Sequence, residues 1–161
     1  MPIVAGAKIP SDLSGFILKD GAPTKVTLGD LLGGKKAVLF GVPGAFTPTC
    51  SAKRLPGFKA NAAALKAKGV DTIACLSVND VFVMNAWGKD QSVGADVLML
   101  ADGNGDFTKA VGLELDASKF GMGPRSQRYS MVVDNGKVKQ LNVEQGGEFR
   151  VSAADYMLGQ L

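Results

Sequence analysis

A continuous apolar run at residues 37–42 constrains the fold of this chain most strongly. Such a run is typical of a strand that is buried on both faces of a sheet. Residues 70–78 and 97–101 are candidate strands of the same core, and helical patterns at 48–68 and 81–89 lie between these strands. The alternation predicts an α/β chain with a central mixed β-sheet that carries helices on both faces.

Shorter elements complete the pattern. They are a strand at 16–19, a helix at 27–32 with Thr27 as N-cap and Gly33-Gly34 as stop, a helix at 106–111, a hairpin of strands 129–133 and 138–143 joined by a type I′ turn at Asn135-Gly136, and a last helix at 153–161 capped by Ser152. We expect a largely parallel sheet closed by that hairpin, a description that a thioredoxin-like architecture meets. The 161 residues show no internal repeat or linker, which predicts a single domain over 1–161.

Single residues refine the two longer helices. Asp80 is a candidate N-cap for the helix at 81–89, in which Met84 and Trp87 are expected to be core residues. Pro56 interrupts the helix at 48–68. Because proline lacks a backbone N–H, we expect a kink or an unusual turn there.

Composition excludes several classes of site. The chain has no histidine, which removes Ser-His and Cys-His pairs and most catalytic zinc sites. The net charge of +3 comes from scattered lysines and arginines, so we expect no nucleic-acid and no membrane partner. The segments at 102–106 and 121–124 match calcium and dinucleotide motifs only in part. We therefore expect neither a metal nor a cofactor.

The cysteine count and the N-terminus bear on the compartment. Two cysteines are too few for a disulfide scaffold, and a reducing compartment is the default for such a chain. The first ten residues lack the charged and apolar regions of a secretory signal. We expect a cytoplasmic protein, with an organelle reached after removal of a transit peptide as the alternative.

The segment GVPGAFTPTC, residues 41–50, is the strongest candidate for a site. Pro48 suits a first helical position, which makes Thr47 the N-cap and places Cys50 where a capping carboxylate commonly lies. A thiolate there is stabilised by the helix dipole and by unpaired amides. The alternative is that Cys50 is a small buried apolar residue, as most unpaired cysteines are.

A helix start alone does not ionise a thiol. The ordinary cysteine pKa is about 8.5, and each unit by which it is lowered takes about 1.36 kcal/mol. A helix N-terminus supplies about 0.3–2 kcal/mol, so a large decrease also requires a cation. Arg54, four residues after Cys50, is one candidate, and a guanidinium brought in by the fold is another.

The residue three before Cys50 is Thr47 rather than a second cysteine. A hydroxyl forms no disulfide, but it can hydrogen-bond a thiolate or a bound oxygen. The pattern therefore favours a lone nucleophile over a dithiol reductase.

Three separated blocks resemble the peroxiredoxins. Pro43, Thr47 and Cys50 match P-x-x-x-[TS]-x-x-C, followed by LPGF at 55–58. Together with ACLSVNDVFVMNAWGK at 74–89 and RYSMVVDNGKV at 128–138, they resemble the type II, or peroxiredoxin-five, subgroup over about residues 3–161.

The resemblance implies a thioredoxin-like fold that reduces hydrogen peroxide and alkyl hydroperoxides. Cys50 would attack the O–O bond and become a sulfenic acid. Thr47 would hydrogen-bond the thiolate and the peroxide, and Pro43 would shield the thiolate. Arg128 matches the family's catalytic arginine, a choice over Arg125 that sequence spacing alone does not make.

The resemblance also bears on Arg54, on Cys75 and on the partners of the chain. Many relatives have histidine at the position of Arg54, so a permanent cation is expected to tune the thiolate here. Cys75 is expected to be a core residue, with a resolving role as the alternative, and glutathione with glutaredoxin, or thioredoxin, would then reduce the sulfenic acid. A homodimer is implied. The competing function is a non-catalytic redox-sensing or chaperone-like binding protein on the same fold.

Overall fold

The computed structural model describes residues 2–48, 50–144 and 152–161, and for Cys50 and Ala52 it describes the backbone alone. Its strands are β1 (Ser14–Lys19), β2 (Ala22–Thr27), β3 (Lys36–Val42), β4 (Thr72–Ser77), β5 (Leu98–Ala101), β6 (Glu114–Asp116), β7 (Pro124–Ser126), β8 (Tyr129–Asp134) and β9 (Lys137–Val143). Its α-helices are α1 (Leu28–Leu32), α2 (Leu55–Ala60), α3 (Ala62–Ala67), α4 (Val81–Asp90), α5 (Asp106–Ala110) and α6 (Ala154–Leu158). A π-helical turn covers Cys50–Arg54 and a 3₁₀ turn covers Ser118–Phe120. Within the described residues, no helix is both long and apolar enough to cross a membrane.

The main sheet has the strand order β2-β1-β5-β4-β3-β8-β9. Only β3, β4 and β5 pair in parallel, and every other pairing in this sheet is antiparallel. The expectation of a largely parallel sheet is therefore wrong. The parallel core is flanked on both sides by hairpins, and the strand β2, in which no residue is fully buried, carries no apolar pattern that predicts it.

Two apolar layers cover the faces of this sheet. One layer packs α2, α3, α4 and α6 against alternate residues of β3 and β4, and the other packs α1 and α5 against the remaining ones. All seven residues of β3 except Lys36 are buried. The prediction from the apolar run at 37–42 is thus confirmed.

Several local predictions are also confirmed. The Thr27 hydroxyl accepts a hydrogen bond from the Asp30 N–H at 3.2 Å, and the Asp80 carboxylate accepts one from Val83 at 2.8 Å. Asn135 and Gly136 have φ values of 49° and 79°, which a type I′ turn requires.

Ser152, by contrast, does not cap the last helix. The N-cap of α6 is Ala153, which makes no side-chain capping bond. The Ser152 hydroxyl instead donates to Glu144 Oε2 at 2.6 Å within a buried cluster. A long-range partner has replaced the local capping bond.

The single helix predicted at 48–68 is divided. The π-helical turn precedes α2, and a break at Asn61 separates α2 from α3. Pro56 lies in the first turn of α2, where its missing N–H costs no helical bond. The expected unusual turn is present, but it lies immediately before the proline rather than around it.

Candidate active site

The loop at 43–47 leaves β3 at the carboxyl end of the parallel core, the edge at which open α/β sheets build their sites. Pro43 and Gly44 are buried within it. Phe46 has a φ of 63°, in the left-handed region that is unfavourable for a bulky residue. The loop therefore has a specific conformation that its surroundings must maintain.

Thr47 is held by the same loop. Its hydroxyl donates to the Gly44 carbonyl at 2.7 Å, which leaves the oxygen lone pairs free to accept. Its own carbonyl accepts from the Ser51 N–H at 2.9 Å, so Thr47 does lie at the start of a helical segment. The Cys50 thiol lies outside the described residues, whereas the Cys50 backbone opens the π-helical turn.

Arg54 ends that turn and is completely buried. Its Nη1 donates to Ser152 Oγ at 2.5 Å, and its Nη2 donates to the Tyr129 carbonyl. The guanidinium carbon lies 5.6 Å from the centre of the Phe40 ring. Arg54 thus joins the turn to β8 and to the segment before α6. Its predicted influence on the thiolate stays a prediction.

Arg128 is the residue immediately before β8. Gly41 pairs with Tyr129 in the antiparallel register, so Arg128 is brought beside the end of β3, where the loop begins. Its side chain is partly buried, and its Nε atom is inaccessible to solvent with no hydrogen-bond partner among the described residues. This is a charged donor placed at the edge that carries the loop.

Arg125, the alternative arginine, is engaged elsewhere. Its Nε donates to the Met122 carbonyl at 3.0 Å and its Nη1 donates to the Val78 carbonyl at 2.9 Å. Arg125 and Arg128, between which sequence spacing does not choose, therefore differ in their contacts. Of the two, Arg128 has the Nε donor that makes no hydrogen bond to any described residue.

Three residues that support the loop or the helical turn were not predicted from the sequence as parts of the site. Asn79 Oδ1 accepts a hydrogen bond from the Ala45 N–H of the loop and another from the Ser77 hydroxyl. Trp87, expected only as a core residue, is completely buried and also donates its indole N–H to Ser51 Oγ at 3.0 Å, next to Cys50 in the chain. All three lie within the block at 74–89. The resemblance of that block to a known family was the feature of the sequence that could have identified them.

Cys75 lies in the middle of β4, completely buried and paired in register with Phe40 and Met99. It belongs to the apolar layer that also contains Leu55 and Phe58. This position is that of a core residue. A resolving role would require the strand or the helical turn to move.

Two buried ionisable groups lie close to this region. The Asp102 carboxylate accepts from Phe107 N, Thr108 N and Thr108 Oγ1 and so holds the start of α5, while burial raises its pKa. Burial also raises the pKa of Tyr129, whose ring packs directly against Gly41.

Known proteins resemble the whole chain. The Redoxin family model matches residues 4–158. The chloroplastic peroxiredoxin-2E-2 of Oryza sativa is 54% identical over 99% of this chain and 72% of its own length, and peroxiredoxin-2B of Arabidopsis thaliana is 49% identical over 99% of both. Reduced Prx3 of Vibrio vulnificus, solved in complex with hydrogen peroxide, is 51% identical over 98% of both chains, with a TM-score of 0.94.

These similarities confirm the predicted thioredoxin-like fold and favour an enzyme over a non-catalytic redox-sensing or chaperone-like protein. They extend over nearly all of the chain, including the loop, the 74–89 block and the strand after Arg128. The chain therefore belongs to the Redoxin family and, within it, to the type II peroxiredoxins, the thiol-dependent peroxidases that include the peroxiredoxin-five group.

Proposed function

We propose that Cys50 is the peroxidatic residue of this peroxidase. Its thiolate sulfur forms a bond to the terminal oxygen of a hydroperoxide while the O–O bond breaks. The leaving oxygen takes a proton and departs as water or an alcohol, and the cysteine is left as a sulfenic acid. The observation that carries this proposal is the hydrogen-bonded loop at 43–47, which leads into Cys50 at the edge where β8 delivers Arg128.

The contacts support a role for each neighbouring residue. The Thr47 hydroxyl, which donates to Gly44, can accept from a peroxide O–H while it keeps that bond. Pro43 is buried and offers no N–H at the base of the loop, which suits a shield against water. The buried Nε of Arg128 can stabilise the thiolate and the negative charge that develops on the leaving oxygen.

Peroxide consumption with dithiothreitol as the reductant tests this assignment. Cys50→Ser should reduce turnover to the rate without protein, whereas Cys75→Ser, the control at the other cysteine, should keep a substantial rate. Arg128→Gln should lower the rate by about 10²–10³-fold, the usual effect of removing one electrostatic donor. Equal rates for wild type and Cys50→Ser would exclude Cys50.

We place the second half of the cycle on an external thiol, either glutathione with glutaredoxin or thioredoxin. The buried position of Cys75 in β4 supports this choice, because a disulfide needs Cα atoms within about 4.4–6.8 Å and suitably directed side chains. Turnover of Cys75→Ser should be measured with each reductant in turn. Loss of turnover with all of them would show that Cys75 is a resolving residue.

Hydrogen peroxide and alkyl hydroperoxides are the substrates we propose. The Vibrio vulnificus relative was solved with hydrogen peroxide, which supports the first of them. Second-order rate constants for hydrogen peroxide and for tert-butyl hydroperoxide would rank the two. No reaction with the alkyl peroxide would restrict the proposal to hydrogen peroxide.

A homodimer is the assembly that we propose. Three exposed aromatic side chains support it: Phe46 in the loop, Phe82 in α4 and Phe120 in the 3₁₀ turn are 52%, 57% and 75% exposed. Exposed rings of this kind are enriched at protein interfaces. Sedimentation velocity should give a dimer for wild type and a monomer for Phe82→Asp, and a wild-type monomer would contradict the proposal.

Two smaller assignments complete the proposal. A cytoplasmic location is proposed, with an organelle as the alternative that the chloroplastic relatives of rice and Arabidopsis suggest. Arg54 is proposed to make the thiolate population less sensitive to pH at about 6–7 than a histidine at this position would, because a guanidinium does not titrate in that range. An unchanged Cys50 titration in Arg54→His would contradict the second assignment.

A further inference from the structure

One side chain links the end of β4 to the loop that follows β3. Asn79 Oδ1 accepts a hydrogen bond from the Ala45 backbone N–H at 3.0 Å and another from the Ser77 hydroxyl at 2.5 Å. Ser77 Oγ also lies 3.2 Å from the carbonyl oxygen of Val42, the last residue of β3. Ser77 is completely buried, whereas Asn79 and Ala45 are partly buried, so water has limited access to this set of bonds.

The backbone beside Asn79 is itself fixed. Arg125 donates to the Val78 carbonyl at 2.9 Å from Nη1 and to the Met122 carbonyl at 3.0 Å from Nε. The charged residue next in sequence, Asp80, directs its carboxylate to the Val83 N–H of α4. Asn79 therefore projects from a turn that is anchored on both sides.

The loop is also closely packed where Asn79 holds it. A methyl group placed on Gly44 would lie 3.1 Å from Thr47 Cγ2, 3.2 Å from Met122 Cε and 3.6 Å from Arg125 Nη1. Gly44 thus has little room to move, and the same glycine provides the carbonyl that accepts from the Thr47 hydroxyl. A shift of the loop would carry the Thr47 hydroxyl with it.

The loop conformation needs this support because Phe46 is strained. Its φ of 63° lies in the left-handed region, which is unfavourable for a non-glycine residue, and such a conformation persists only where the surroundings determine it. Ala45, whose N–H is bound by Asn79, is the residue immediately before Phe46. The amide oxygen thus acts one residue from the strained position and two from Thr47.

We propose that Asn79 is a positioning residue of the peroxidase reaction: its uncharged side-chain oxygen fixes the Ala45–Thr47 turn and so aligns the Thr47 hydroxyl with the reacting sulfur and peroxide. The proposal rests on the assignment of Cys50 and Thr47 made above. An amide suits this role because it supplies the acceptor without adding a negative charge to a loop that leads to a thiolate. A carboxylate would supply the same acceptor and oppose ionisation of the thiol.

The test compares Asn79→Ala, Asn79→Asp and, as the matched control, Asn104→Ala, which alters an exposed asparagine in another turn. The rate constant of the reduced enzyme with hydrogen peroxide is followed by the fluorescence of Trp87, the chain's one tryptophan, across a range of pH. The rate of Cys50 alkylation by iodoacetamide reports thiol ionisation separately. Thermal unfolding confirms that each variant is folded.

Asn79→Ala should lose about 10–100-fold in the peroxide rate constant at every pH, because a displacement of about 1 Å can cost 10²-fold. Its alkylation rate at alkaline pH should stay within about twofold of wild type, since a small alkylating agent needs no such alignment. Asn79→Asp should lose rate near neutral pH and recover it at alkaline pH, where the thiol is ionised in every variant. Asn104→Ala should match wild type throughout.

Two results would overturn the proposal: a wild-type peroxide rate in folded Asn79→Ala, or a loss in Asn79→Asp that alkaline pH does not restore. The second variant keeps the acceptor and so remains informative if Asn79→Ala does not fold. If Cys50 is not the peroxidatic residue, Cys50→Ser will keep the wild-type peroxide rate although Asn79 is intact. That result distinguishes a failure of the underlying assignment from a failure of this proposal.

Discussion

Replacing Ser152 by alanine should destabilise the protein more than a serine substitution ordinarily does. The Ser152 hydroxyl accepts from Arg54 Nη1 at 2.5 Å and donates to Glu144 Oε2 at 2.6 Å. It thereby lies between a guanidinium and a carboxylate that are both buried. The Ser152 backbone N–H also donates to Glu144 Oε2, at 2.9 Å, and the substitution leaves that bond in place.

The magnitude follows from the two bonds that are lost. A hydrogen bond to a charged group contributes about 1.5–3 kcal/mol. Because one hydroxyl makes both bonds, the losses are coupled rather than additive, and we expect a decrease of about 3 kcal/mol in the free energy of unfolding. For a chain of this size that corresponds to a decrease of about 6–12 °C in Tm.

Urea denaturation followed by far-ultraviolet circular dichroism measures the change, with the reduced protein at fixed concentration. Ser11→Ala is the matched control, since Ser11 is exposed and substitutions of such residues usually stay within about 0.5 kcal/mol. A Ser152→Ala protein as stable as Ser11→Ala would refute the idea that this hydroxyl connects the two charges.

Three further predictions concern the core. Tyr129→Phe should leave the free energy of unfolding unchanged or raise it by about 1 kcal/mol, because the Tyr129 hydroxyl is buried without a hydrogen-bond partner among the described residues. A loss of about 2 kcal/mol or more would reveal a partner. Gly41→Ala should lower the free energy of unfolding by about 1–3 kcal/mol or more, since its methyl would lie 2.1 Å from Tyr129 Cε1. Gly57→Ala is the control and should be neutral or stabilising, because the nearest contact of its methyl would be at 4.0 Å. Equal effects of the two substitutions would contradict the packing. Burial raises the folded-state pKa of Asp102 above its unfolded value. The contribution of Asp102 to stability is therefore present below the unfolded pKa and falls as pH rises through the folded pKa. The free energy of unfolding of wild type should accordingly decrease relative to that of Asp102→Asn over this pH range, and a difference independent of pH would contradict this.

Much of the core could be predicted because its signals are local. The apolar run of β3, the caps Thr27 and Asp80 and the Asn135-Gly136 turn each act within a few residues, and the structure has them as expected. The strands β2, β6 and β7 were missed because β2 has no fully buried residue and the other two have only three residues each. Pairing with a neighbour, rather than an apolar pattern, makes them strands.

The same contrast between local and long-range signals applies to the candidate site. The loop from Pro43 to Cys50 could be identified because its residues are contiguous, whereas the Arg54–Ser152 contact joins residues 98 positions apart. Arg54 follows Cys50 by four residues, a spacing that places two side chains on one face in α-helical geometry. A π-helical turn has more residues per turn, so the two side chains need not align.

Trapping the sulfenic acid tests the central claim most directly. The reduced protein is mixed with one equivalent of hydrogen peroxide in the presence of dimedone, and the modified cysteine is identified by peptide mass spectrometry. The account predicts one adduct, on Cys50, that is absent from Cys50→Ser and retained in Cys75→Ser. An adduct on Cys75 in its place, or rapid consumption of peroxide with neither cysteine modified, would contradict the account.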